Sequence, residues 1–398
     1  MRRSALLAAL FLAALTLRPQ LVGIGPLIPS IQADLGTSHA VAGLLGTIPV
    51  LCMGVFAPPA AYLSQRLGSR HALATALALI GCFGIARVLV PGAALLILLT
   101  FPVGIGMGLG NALLPVRVKE RFAERPVFAT GVYAAGINVG ATASAAAAVP
   151  LERSLGSWRD PLLVMSAATL ALLVVWLVLT RVERGHRAAS VPRPLPLPWR
   201  SSLAWRLVAA FFFMSATYYG LNAWLPDVYV ERGWSEGKAG ALLAVLNGTQ
   251  IAAGLGVAWL ADRMGSRRSW MTGCAGVLVA ALLGVVLLPA GGFAWAVLIG
   301  GTIGPLFSLT MALPVDLGHG PADVAAFTGL MLGAGYSLSA MSPLILGAIR
   351  DASAGFGTVL WVLVGTSVAL LAIDASLTPA RFEAARRSRQ RRPQAASN

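Results

Sequence analysis

Twelve apolar runs, each near the length of a membrane crossing, constrain this 398-residue chain more than any single motif in it. They fall at roughly 5–33, 39–64, 71–91, 93–116, 127–149, 160–180, 203–229, 237–261, 269–289, 292–315, 323–349 and 356–377. A helix needs about 20 residues to cross about 30 Å of hydrocarbon, where no water is present to satisfy an unpaired backbone. The composition agrees. Apolar letters make up 57% and charged letters 11%, against roughly 45–50% and about 25% in a soluble domain. The 44 glycines and 24 prolines suit membrane helices packed closely around a pathway. The opening MRRSALLAALFLAALTL is similar to a secretory signal. It lacks a small-x-small cleavage site and continues through Arg18-Pro19 into further apolar sequence, so it reads as the first span.

Thirty basic residues oppose fifteen acidic ones, a formal net charge of +15. This excess does not point to nucleic acid, because the basic residues sit in short clusters between spans with no aromatic interleaving. Most fall in alternate loops and at the two ends, a bias that places both termini of a multi-pass membrane protein in the cytoplasm. Cys52, Cys82 and Cys274 lie singly in apolar runs, without metal-ligand spacing or a disulfide framework. The linker at 181–202 alternates prolines with basic residues and divides the chain into halves at 1–180 and 203–377. The tail, 378–398, reads as a basic orientation signal near anionic lipid.

An internal repeat fixes the architecture. A shift of 197 residues lays AYLSQRLGSR (61–70) on AWLADRMGSR (258–267), with six of ten letters identical. The same shift superposes Pro29 on Pro226 and Gly36 on Gly233. An even number of spans separates the copies, so the halves share one orientation and are related by an axis along the membrane normal. The predicted fold is an all-α integral membrane protein of twelve transmembrane helices in two pseudo-symmetric six-helix halves, with a site between them near the midplane.

The segment ADRMGSRR at 261–268 closely resembles the D-R-x-G-x-R-R signature found after the second and eighth helices of the major facilitator superfamily. LRPQLVGIGPLIPSIQADLG, GNALLPVRVKERF, YYGLNAWLP and GYSLSAMSPLILGAIRDASAG, in chain order, resemble the cyanate and 2-nitroimidazole transporter subfamily. The resemblance implies a major facilitator fold and transport by alternating access, but neither one substrate nor one direction. In the repeated loop, Asp262 ends a helix whose terminal dipole repels a carboxylate, so it requires Arg263, Arg267 or a helix amino terminus as partner. Together with Arg66 and Arg70 of the first copy, these residues are candidate gating latches, against the alternative of a plain loop-tightening ion pair. Gln65 replaces the acid in the first copy, so that half is expected to be latched less firmly.

Arg18 is the leading candidate for binding. A charge near the middle of a span costs about 2.5–3.5 kcal/mol on insertion scales unless it faces a cavity or a partner, and no carboxylate falls at its depth. A guanidinium there suits a small planar anion held by two parallel hydrogen bonds. The alternative is that Arg18 caps carbonyls freed by Pro19. Arg87 lies in the outer part of the third span, from which it either snorkels to the surface or adds a second charge along an anion path. Asn138, Tyr218, Asn222, Asn247 and Tyr336 come from spans that, on the resemblance, line the central cavity. Each is as readily an interhelical hydrogen bond.

With no midplane Asp, Glu or His, proton exchange through a membrane carboxylate is not expected. No Walker-type loop implies ATP, and no cofactor, metal or enzymatic set is expected. The predicted partners are a small-molecule substrate of anionic character and membrane lipid, with no nucleic acid and the chain acting as a monomer. Two rivals stay open: an exporter of neutral nitroimidazole or drug-like compounds, and a receptor that keeps the fold without transport.

Overall fold

A computed structural model describes residues 3–37, 39–181, 196–264, 267–318, 320–353 and 355–378. Most of the linker and all but the first residue of the basic tail lie outside the described residues. Every regular element among the described residues is helical.

In the first half these are α1 (Arg3–Leu15), α2 (Pro19–Val22), α3 (Ile28–Leu35), α4 (His39–Val55), α5 (Pro59–Leu89), α6 (Ala93–Arg121), α7 (Pro126–Leu155) and α8 (Arg159–Leu179). In the second they are α9 (Ser202–Glu231), α10 (Glu236–Met264), α11 (Arg267–Leu287), α12 (Gly292–Leu317), α13 (Pro321–Ser339), α14 (Ser342–Ser353) and α15 (Gly357–Ser376). Among the described residues, ten spans are long and apolar enough to cross a membrane. The shorter α4, continued by the start of α5, and α9 complete twelve. At 30 residues α9 is amply long, but its Tyr, Asn, Ser and Thr residues dilute its hydropathy, as befits a helix that turns a polar face inward.

Three expected spans are interrupted, each beside a proline. The first span breaks between α1 and α2 because Pro19 has no N–H and disfavours helical geometry at the residue before it. The second breaks at residues 56–58, before Pro59, and the eleventh between α13 and α14, before Pro343. The loop expected between the second and third spans is instead a kink within α5 at Gly68, whose φ of 75° only glycine adopts without strain.

The pseudo-symmetry is legible in the packing. In the first half α1 lies on α7, α4 and α5 on α6, and α5 on α8; in the second α9 lies on α13, α10 and α11 on α12, and α11 on α15. Each contact reappears six spans later. Across the boundary α7 meets α10 and α12, while α13 meets α4 and α6. Close approach depends on glycine: a Cβ at Gly140 would overlap the Leu15 carbonyl, and one at Gly304 the Gln250 carbonyl. The halves also join at the end carrying the basic loops, where Lys119 Nζ donates to the Val315 carbonyl at 3.0 Å.

Candidate functional site

The break after α1 gives Arg18 its position. It precedes the one-turn helix α2 as its N-cap, with φ −115° and ψ −15°, and its side chain is only 6% exposed. It lines a cavity of about 20 Å³ where the two halves meet, room for about one water-sized group. Nη2 donates to Tyr336 Oη at 3.3 Å, while Nε has no hydrogen-bond partner. No carboxylate or imidazole lines this cavity.

The other walls are neutral. Tyr218 and Tyr219 come from α9, Gln250 from α10, Phe307 from α12, Tyr336 from α13, and Ile137 and Asn138 from α7. Tyr336 is held edge-on against Phe211, centroids 4.9 Å apart. Gln250 Nε2 donates to Asn138 Oδ1 at 3.1 Å, a bond that joins the halves. Tyr219 Oη and Gln250 Oε1 are buried without partners, as is Arg18 Nε. An unsatisfied buried polar atom costs about 1–3 kcal/mol, so three such atoms on residues lining one cavity are suited to a small ligand that both accepts and donates.

A family model described as Major Facilitator Superfamily matches residues 6–343. The chain belongs to the major facilitator superfamily. The 2-nitroimidazole transporter of Escherichia coli (strain K12) is 31% identical over 373 residues, 93% of each chain. The cyanate transport protein CynX of the same organism is 30% identical over 380 residues, 95% of this chain and 98% of its own. Among solved structures, the major facilitator transporter FucP in its outward conformation aligns with a TM-score of 0.71 at 14% identity, covering 94% of this chain and 98% of that one. This protein is therefore a multi-pass membrane protein of a secondary-transporter superfamily.

The other expected site residues divide. Asn138, Tyr218 and Tyr336 line the cavity with Arg18. Asn222 and Asn247 do not: Asn247 Nδ2 donates to Asn222 Oδ1 at 3.0 Å, and Tyr218 Oη donates to Asn247 Oδ1 at 3.4 Å. They tie α9 to α10. Arg87 neither snorkels nor lines the cavity. It is fully buried, with Nη1 and Nη2 on Thr100 and Gln20, because those acceptors lie within reach inside the helix cluster. Tyr219 and Gln250, neutral polar residues within spans that suit such a pocket but were not assigned to it, also line the cavity, as does Ser215, which the span-by-span reading did not name. One signal was available for Ser215, which the 197-residue repeat lays on Arg18.

At the repeated loops, Arg267 Nε pairs with Asp316 Oδ2 of α12 at 2.5 Å. The side chain of Asp262 lies outside the described residues. Arg263 stacks over Trp259 at 3.7 Å and Arg66 over Tyr62 at 4.5 Å. Arg70 donates to Thr180 Oγ1 at 2.9 Å and to the Leu177 carbonyl at 3.0 Å, uncharged acceptors on and beside α8. In the first copy a carboxylate is supplied from α6 instead of the loop: Glu120 accepts from Ser69 at 2.5 Å and from Arg117 at 3.0 Å.

Proposed function

We propose that the protein is a secondary transporter of a small planar anion or weak acid, with Arg18 as the central binding charge and the two halves rocking alternately around it. The observation that carries this reading is a buried guanidinium with no carboxylate partner, set in a cavity between the halves and retaining an unused donor. A membrane-buried charge of this kind is retained where it meets a ligand, and its planar fork matches a planar anion. The names of the two curated relatives support the class. Cyanate and 2-nitroimidazole are both small, flat and electron-rich at their terminal atoms. On this reading both termini are cytoplasmic in a bacterial inner membrane, the chain works as a monomer, and the Arg267–Asp316 pair latches the state closed at the basic end. Asp262, Arg263, Arg66 and Arg70 belong to the same loop machinery.

A second reading, export of neutral nitroimidazole-like compounds, is favoured by the aromatic wall of Tyr218, Tyr219, Phe307 and Tyr336. Thermal stabilisation separates the two, since a ligand that binds the native state raises its melting temperature by mass action. Purified parent and Arg18→Gln protein are titrated with cyanate, nitrite, nitrate, formate and 2-nitroimidazole. The anion reading expects one small anion to stabilise the parent and not a still-folded Arg18→Gln variant, with saturable flux of that anion in liposomes. Stabilisation by 2-nitroimidazole alone, equal in both proteins, would replace it with the neutral-compound reading.

A further inference from the structure

Arg87 is another guanidinium buried inside the helix cluster, and it does not line the cavity. It is fully buried, and none of its hydrogen-bond partners is a carboxylate. Its terminal nitrogens fall on two residues: Nη2 reaches the Gln20 carbonyl at 3.0 Å and Gln20 Oε1 at 2.7 Å, and Nη1 reaches Thr100 Oγ1 at 3.2 Å, while Nε has no hydrogen-bond partner. Gln20 is held from its other side as well, its Nε2 donating to Ser166 Oγ at 2.8 Å and to the Leu162 carbonyl at 3.3 Å. A residue two positions after Arg18 is thus clamped between α5 and α8, with α6 holding the Arg87 end of the clamp.

The clamp falls where the backbone most needs support. α2 is four residues long, Pro19–Val22, and the last four carbonyls of a helix have no donor within it. The Gln20 carbonyl is one of these, and in hydrocarbon no water supplies the missing bond. A single turn also has no cooperative stability of its own. The direction of α2, and of the Arg18 side chain at its N-cap, therefore depends on ties from neighbouring helices.

We infer that Arg87 is a positioning residue for the anion site: through Gln20 it fixes the one-turn helix α2 and so aims the Arg18 guanidinium into the central cavity. This rests on the reading of Arg18 as the anion-binding charge. It differs from a direct role for Arg87 in attracting anions, because the effect travels through Gln20 and requires geometry as well as charge. Lysine at position 87 would keep the charge but lose the fork that reaches Gln20 and Thr100 together.

Full-length Arg87→Lys, Gln20→Met and Thr100→Val proteins are compared with the parent and Arg18→Gln. The readouts are melting temperature, the dissociation constants of cyanate, nitrite, nitrate and formate from dose-dependent stabilisation, and half-saturation and maximal flux in liposomes. Arg87→Lys and Gln20→Met are expected to weaken the best anion about 10-fold or more, as misplacement of a binding group does. Thr100→Val should have a smaller effect and stands in if either of the others does not fold. Half-saturation should rise more than maximal flux falls. Melting temperatures lowered with anion affinity unchanged would overturn the inference and leave Arg87 a structural residue. Loss in Arg87→Lys with parental affinity in Gln20→Met would also overturn it, since the route through Gln20 would be absent. If Arg18→Gln alone loses the anion, this inference fails and the anion site stands. If Arg18→Gln binds as the parent does, or no anion stabilises the parent, both fail.

Discussion

The two halves share one packing scheme and differ in chemistry at the cavity. At the depth of Arg18 the repeat places Ser215 in the second half, and both residues line the same cavity. The first half breaks its helix there with Pro19 and buries Arg18 and Arg87, whose hydrogen bonds go to uncharged groups, besides Arg117, which pairs with Glu120. The second half runs α9 unbroken past Ser215 and offers hydroxyls, amides and rings. On the proposed reading, symmetric packing is what lets the halves rock as similar bodies, and the asymmetric charge is what lets one half hold an anion that the other encloses. The opposite ends repeat more faithfully. Asp34 accepts from Trp158 Nε1 at 3.0 Å and Arg159 Nη1 at 2.8 Å, and its repeat counterpart Glu231 accepts from the Phe356 amide at 3.5 Å.

The largest expected effect comes from removing the asymmetry. Arg18→Gln should weaken the favoured small anion roughly 100-fold, or about 2–3 kcal/mol, the scale of hydrogen bonds to a charged group. Unchanged affinity in isothermal titration would show that the charge difference between halves is not what binds. Tyr336→Phe removes the hydroxyl that Arg18 Nη2 reaches and leaves the ring against Phe211. It should cost about 0.5–1.5 kcal/mol of anion affinity, read by the same titration, with little change in melting temperature. An equal loss of stability would assign the hydroxyl to packing.

The loop copies offer a finer contrast. Arg267 pairs with a carboxylate across partly exposed side chains, each 22% accessible, whereas Arg70 bonds uncharged oxygens. Arg267→Gln should lower stability by about 1 kcal/mol or less, and the loss should shrink as salt screens the pair. The loss in Arg70→Gln should be insensitive to salt. Melting curves of both variants across a sodium chloride series check this, and identical salt responses would remove the distinction between the latches. The smallest effect concerns acid. The indole of Trp158, with Arg159 beside it, holds the exposed Asp34 carboxyl below the usual carboxylate range. A depressed native value means that its stabilisation is fully present above the unfolded value near 3.9 and is lost as pH falls through the lower native value. Melting temperatures between about pH 5 and pH 3 should therefore fall more steeply in the parent than in Asp34→Asn. Parallel curves would show that this clamp does not contribute.

Much of the fold was legible in the chain because crossing a membrane is a matter of length and composition. Apolar runs set the spans, the 197-residue repeat set two like-oriented halves, and a charge as costly as Arg18 marked its own importance. Proline and glycine also marked the interruptions, although the continuation of α5 through Gly68 was hidden by the polar letters around it. The rotation of each helix about its axis was not legible, since packing against neighbours sets it. Asn222 and Asn247 read like Tyr219 and Gln250 in sequence. The structure closes the first pair on each other and turns the second toward Arg18. Arg87 read as a residue that either reaches for solvent or adds a charge along an anion path, and only the folded cluster brings it to Gln20 and Thr100. Sequence alone determined that this chain spans a membrane as two related halves with a positive charge at the centre. Tertiary structure decided which polar groups meet that charge, because a polar side chain satisfied by its neighbour and one left open to a ligand differ only in what packs beside them.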